Sequence, residues 1–164
     1  MKRLLILRHA KSDWGDLSLD DWERPLSARG LRDAPRVGAM LRTHALVPDL
    51  IVTSDAVRAR TTAQAVAEAA GYDREIVVDP RLYLAKPADL LAVLQELPGD
   101  SARAMIVGHN PGLEDLIVAL TGEHHDLPTA TLAQLALSID RWSALDHQSG
   151  GTLVDIWRPK DLTR

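Results

Sequence analysis

Three apolar runs in this chain end in side chains suited to anion chemistry. Leu4 to Leu7 lead into Arg8-His9, and Leu50 to Val52 lead into Thr53-Ser54-Asp55 with Arg58 one turn on. Met105 to Val107 lead into Gly108-His109-Asn110-Pro111. Arginine's planar fork matches oxyanion oxygens two at a time and keeps its charge. A neutral imidazole can accept a phosphoryl group on a ring nitrogen and so form a covalent intermediate. Phosphoryl transfer asks mainly for positioning and charge stabilisation. One histidine as nucleophile, with two arginines and a second histidine on the oxygens, is therefore a coherent site.

The elements around these residues decide whether they meet. Strand-like runs at 3–7, 49–52, 75–78 and 104–107 alternate with segments of helical period. Ser27 can cap a helix reaching His44, within which Pro35 marks a kink or a late start. Ala59, Ala63, Val66, Ala67 and Ala70 share one face of the next helix, which Gly71 stops. Pro87 opens a third helix, and Asn110-Pro111 supplies a cap and a first-turn proline for a fourth. The runs 131–139 and 152–157 read as a terminal pair of strands. Such alternation predicts one α/β domain over residues 1–164 with a largely parallel sheet. Ligands bind beyond the carboxyl ends of such strands, where all three junctions fall.

Each junction also has a plainer reading. Arg8-His9 suits a solvated loop, and Arg58 an ion pair with Asp55 or Glu68. His109 suits a cap on the helix that follows. Arg58 nevertheless falls in a helix's first turn, where the macrodipole disfavours a cation unless an anion is near. Convergence at one sheet edge favours the shared site.

Composition narrows the function. The 164 residues are 46% apolar and 26% charged, the balance of a globular domain that can bury a core. Phe is absent, so Leu, Val, Ile and Ala must fill the interior. A formal net charge of −4 argues against a nucleic-acid partner. With no Cys there is no disulfide, thiolate metal site or cysteine nucleophile, which suits a reducing cytoplasm. The basic start is followed by only four apolar residues, short of a signal peptide, and no run reaches the ~18 of a membrane span.

The blocks LRHAKSDW, PLSARG (25–30), TSDAVRARTTA (53–63) and GHNPGLEDL (108–116) occur in this order along the chain. They resemble the signature blocks of the histidine phosphatase superfamily, the phosphoglycerate mutase-like enzymes, with Ala10 where glycine is usual. RHAKSDW and DWERPLSARG resemble in particular the opening of the short SixA-type phosphohistidine phosphatases. The resemblance implies a three-layer α/β/α sandwich whose six-stranded, mostly parallel sheet has one antiparallel strand. It implies His9 as the phosphorylated nucleophile, with Arg8, Arg58 and His109 forming the phosphate pocket. Phosphate or related oxyanions would bind there without metal or cofactor.

Two departures follow. Mutase-type members carry a general-acid glutamate between the third strand and the next helix, but residues 79–93 contain only Asp79 and Asp89 as carboxylates. Asn110 also replaces the acidic neighbour of the acid-phosphatase branch. Loss of a proton donor costs ~10²–10⁴-fold when the leaving group is an alkoxide. The P–N bond of phosphohistidine needs less help, because its ring can leave already protonated. The expectation is a cytoplasmic phosphatase acting on a histidine-phosphorylated protein in signal transduction. A small-molecule phosphomonoesterase and a non-catalytic phosphate reader are the rivals.

Further residues have two readings each. Ser12 either donates to phosphate or caps a turn, and Arg24 either reaches the pocket mouth or pairs with Asp20 or Asp21. Trp14 and Trp22 belong to the core or to a docking rim. His124-His125 with Asp126 suits a solvated loop better than a metal site.

Overall fold

The structure, a computed structural model, describes residues 1–162. Its strands are β1 (Lys2–Arg8), β2 (Leu50–Thr53), β3 (Ile76–Val78), β4 (Arg103–Gly108), β5 (Leu132–Leu137) and β6 (Gly151–Trp157). Its helices are α1 (Ala28–Thr43), α2 (Val57–Ala70), α3 (Pro87–Gln95) and α4 (Gly112–Thr121). The sheet order is β3-β2-β4-β1-β5-β6, with β5 running antiparallel to both its neighbours and the other pairings parallel. This is the three-layer, six-stranded arrangement expected above. No helix among the described residues is long and apolar enough to cross a membrane.

The opening run is apolar on both faces because β1 lies centrally and is covered on both. Leu4 and Ile6 pack with the α3 and α4 side and with fully buried Trp142, whose indole donates to the Ser101 carbonyl at 2.8 Å. Leu5 and Leu7 pack on the other side, against the alanine face of α2 and Val37 and Leu41 of α1. All four leucine and isoleucine side chains are fully buried. Burial of that kind contributes about 1.5–3 kcal/mol for each side chain.

Two expectations change in detail. α1 is helical from Ala28, so Pro35 neither delays its start nor ends it, although it removes one backbone donor. The fourth helix begins at Gly112, with Pro111 at the cap position; Asn110 acts from one residue further out, its Oδ1 accepting the Glu114 amide at 3.3 Å. Gly71 and Gly122 end α2 and α4 in left-handed conformation.

Gly30 shows why the PLSARG block ends as it does. A Cβ there would fall on the carbonyl oxygen of Lys11, two residues after His9. Ser27 caps the same turn, its Oγ accepting the Gly30 amide at 3.2 Å and donating to the Lys11 carbonyl at 3.1 Å. The first turn of α1 therefore holds the backbone behind His9 by close contact. Gly30→Ala is expected to cost ~1–3 kcal/mol through that overlap. For a chain of this size a thermal melt would show a drop of about 2–4 °C per kcal/mol. An unchanged melting temperature would contradict the contact.

Candidate active site

Because β2, β4 and β1 are neighbours, their carboxyl ends lie side by side. The register pairs Arg8 with Gly108 and Thr53 with Val107. His9 and His109 consequently extend from adjacent strands, with ring centroids 5.1 Å apart. The His9 amide donates to the Gly108 carbonyl at 3.1 Å and the Ser54 amide to Val107 at 3.0 Å, continuing the sheet into the site. A cavity of about 580 Å³ opens here, and Arg8, His9, Ser12, Arg24, Arg58 and His109 all line it. All six residues singled out in the sequence are thus brought together.

The protonation of His9 follows from its surroundings. Its Nδ1 lies 2.7 Å from the Ala10 carbonyl oxygen. A carbonyl only accepts, so Nδ1 carries the ring proton and Nε2 presents its lone pair. Burial, then the fields of Arg58, Arg8 and Arg24, bring the pKa down to about 4, against the pull of the Ala10 hydrogen bond. The His9 ring is therefore neutral at pH 7. A proton-NMR titration of the His9 ring should have its midpoint near pH 4, with the lone pair lost only below it. A midpoint between 6 and 7 would contradict the burial.

Arg8 donates from Nη1 to the Leu127 carbonyl at 3.0 Å, and its buried Nε has no protein partner among the described residues. Desolvation pulls its pKa below the ordinary arginine value. Arg58 pairs with neither Asp55 nor Glu68. Its Nη1 donates to the Asp21 carbonyl at 2.6 Å and its Nη2 to Asp21 Oδ2 at 2.8 Å. Arg24 also pairs with Asp21, from Nη1 to Oδ1 at 2.7 Å, while its Nη2 donates to Ser12 Oγ and its Nε to the Asp13 carbonyl. The solvated-loop reading of Arg8-His9 fails, since His9 is only 7% exposed.

Asp21 and Tyr83 were not among the expected site residues, yet both line the cavity. The Tyr83 hydroxyl donates to Asp21 Oδ2 at 2.6 Å, and its ring meets His109 edge-on at 5.4 Å. That hydrogen bond, helped by Arg58 and Arg24 and opposed by partial burial, holds the Asp21 carboxyl down at about 2. Asp21 is thus a permanent anion that orients two guanidiniums. In the sequence Asp21 was visible only as a possible partner of Arg24, within the D-x-x-R-P-L spacing. Asp79 and Asp89 do not line the cavity. Asp79 caps a short turn and clasps Arg81 at 2.8 Å, and Asp89 Oδ2 accepts the Lys86 amide at the start of α3.

Trp14 and Trp22 are not core residues. Trp14 is 62% exposed and stacks on the Arg24 guanidinium, and Trp22 is 37% exposed beside Arg60. His124 and Asp126 come near Glu114, but Glu114 Oε2 already accepts from Asn110 Nδ2 and the Leu127 amide, both at 2.8 Å. That carboxylate is a loop anchor.

Residues 4–83 match the family model of the histidine phosphatase superfamily, branch 1. An uncharacterised chloroplastic protein of Arabidopsis thaliana is 34% identical, over 91% of this chain and 72% of its own length. A crystal structure from Agrobacterium tumefaciens, assigned as the phosphohistidine phosphatase SixA, is 28% identical with a TM-score of 0.82, covering 96% of this chain and 98% of that one. The protein histidine phosphatase SixA complexed with tungstate shares the fold, with a TM-score of 0.84 at 22% identity over 98% and 99% of the two chains. Paired neutral histidines and arginines are an arrangement able to carry phosphatase chemistry. The sequence blocks, the fold and these relatives agree, and the chain belongs to the histidine phosphatase superfamily, in its SixA-type group.

Proposed function

We propose that this phosphatase removes the phosphoryl group from phosphohistidine on a partner protein, by way of a covalent intermediate on His9. The observation that carries the reading is that, among the described residues, no carboxyl group lining the pocket is able to donate a proton. Asp21 is held ionised at about 2, chiefly by the Tyr83 hydroxyl, and Asp79 and Asp89 are engaged elsewhere.

In the first step His9 Nε2 attacks phosphorus while the P–N bond of the substrate breaks. The electron pair stays on the departing nitrogen, and a substrate ring protonated on its other nitrogen leaves as neutral imidazole. Arg8, Arg58 and His109 hold the phosphoryl oxygens, and Ser12 and Arg24 complete the wall of the binding site. Water then attacks the phosphorus on His9, the new P–N bond breaks, and phosphate leaves with the water's oxygen. Preorganised donors of this kind can each contribute ~2.7–4 kcal/mol to the barrier.

The rim supports a protein-borne substrate. Exposed Trp14 and Leu84 (69%) line the cavity, and Leu17 (90% exposed) lines an adjoining pocket that shares Trp14, apolar surface on which a protein carrying the substrate could rest. The cysteine-free chain suits the cytoplasm, and a phosphohistidine substrate fits a role in signal transduction. One observation favours the small-molecule reading: about 580 Å³ is ordinary for a metabolite site.

Comparing kcat/KM across three substrates decides between them. A histidine-phosphorylated carrier protein should be fastest, an aryl phosphate intermediate, and an alkyl phosphate slowest by ~10²–10⁴-fold for want of an acid. Asp79→Asn and Asp89→Asn should change the phosphohistidine rate by less than about tenfold, or ~1.4 kcal/mol. Comparable efficiency on the alkyl phosphate, or its collapse in one of those variants, would establish the small-molecule enzyme instead.

A further inference from the structure

We propose that Ser54 is a positioning residue that fixes the proton of His109 on Nδ1, so that this ring serves as a neutral hydrogen-bond donor to the phosphoryl group. The inference rests on the phosphoryl-binding role of the pocket, but its central test does not require turnover.

Ser54 follows β2 directly and is fully buried. Its Oγ lies 2.8 Å from His109 Nε2. The same oxygen accepts the Ala56 amide at 3.2 Å. A hydroxyl has one hydrogen to give and two lone pairs to receive with. Ala56 takes one lone pair, so two arrangements remain. With the histidine proton on Nε2, the ring donates to the second lone pair. The Ser54 hydrogen then has no acceptor among the described residues, in a buried place where an unmade hydrogen bond costs ~1–3 kcal/mol. With the proton on Nδ1, Ser54 donates to Nε2 and its groups are all satisfied. The inventory selects the second arrangement.

The other ring nitrogen confirms the direction. His109 Nδ1 is buried, makes no hydrogen bond to the protein among the described residues, and belongs to a ring that lines the cavity. A bare lone pair there would repel phosphoryl oxygens, whereas an N–H receives them. The ring is held in plane by Tyr83, edge-on at 86°, and by the tilted His9 ring. In the unliganded protein burial, then His9 and Arg58, bring the His109 pKa down to about 3, so the ring there is neutral at pH 7.

The two catalytic rings therefore carry the same tautomer and use it in opposite ways. His9 turns its Nδ1–H to the Ala10 carbonyl and presents a lone pair. His109 receives the Ser54 hydroxyl and presents an N–H.

The test is nitrogen-15 NMR of the wild-type imidazoles at neutral pH, with and without tungstate. His109 should show a protonated Nδ1 and an unprotonated Nε2 in both. A protonated Nε2 overturns the proposal. In Ser54→Ala the preference should weaken and kcat/KM for an aryl phosphate should fall about tenfold. A folded Ser54→Ala variant with unchanged tautomer and unchanged kcat/KM also overturns it. If that variant does not fold, the wild-type spectrum decides alone. Absence of turnover on every phosphate compound would refute the phosphatase function and leave the tautomer result intact.

Discussion

His9→Ala is expected to abolish turnover while leaving tungstate binding measurable. The loss in kcat should be ~10⁴-fold or more, the scale seen when a covalent nucleophile is removed. Binding survives because Arg8, Arg58 and His109 are held by their own partners: the Leu127 carbonyl, Asp21 and Ser54. None of these depends on the His9 ring. Acid-labile, base-stable phosphate should accumulate on the wild-type chain after rapid quenching and be missing from the variant. Near wild-type activity on the best substrate would show that another residue is the nucleophile. Loss of tungstate binding together with activity would show that His9 is needed to assemble the pocket rather than to react.

Arg58→Ala carries the second largest effect, and comparison with Asp21→Asn locates its origin. Removing one preorganised donor to a developing charge costs ~10²–10³-fold in kcat. Arg58→Ala should reach that range and also weaken tungstate binding, since its fork is 5% exposed and lines the cavity. Asp21→Asn keeps the guanidinium but loosens its aim. It should lower kcat less, by about tenfold, without weakening oxyanion binding, because an anion has been taken from beside the site. Isothermal titration with tungstate and steady-state kinetics on an aryl phosphate measure both. An Arg58→Ala loss below threefold would remove Arg58 from the machinery.

Much of this site was legible because strand ends declare themselves. An apolar run buried on both faces stops abruptly where function begins, so Arg8-His9, Arg58 and His109 stood out by position. What the sequence could not supply was strand order. That β2, β4 and β1 lie adjacent follows from the crossovers, and adjacency alone turns three junctions into one pocket. Partner choice was equally hidden. Asp55 and Glu68 are near Arg58 in the chain, but the carboxylate that holds it comes from residue 21, on the loop after β1. Ion pairs across loops leave no periodic trace. Of the two readings of Trp14 the core one fails for a related reason: large aromatic side chains usually enter cores, and only the fold shows this one exposed and stacked on Arg24 at the cavity's edge. Residues 79–93 also hold Tyr83, whose role shows only in the fold, where its hydroxyl secures Asp21.

The central place of β1 has a dynamic consequence. The strand is hydrogen-bonded on one side to β4 and on the other to β5, and its side chains are sealed from water on both faces. Amides so placed exchange with solvent only when the whole domain opens. The loop bearing Asp21 is different, since Trp14, Asp16 and Leu17 are exposed and Asp21 ties it to Arg58 and Tyr83. Hydrogen exchange should therefore divide the active site in two. His9 should share the slowest-exchanging unit of the protein, and Asp21, which orients Arg58 and Arg24, a segment that opens locally and often. Phosphoryl chemistry would then be anchored to global stability, while access to it is governed by a far smaller free energy.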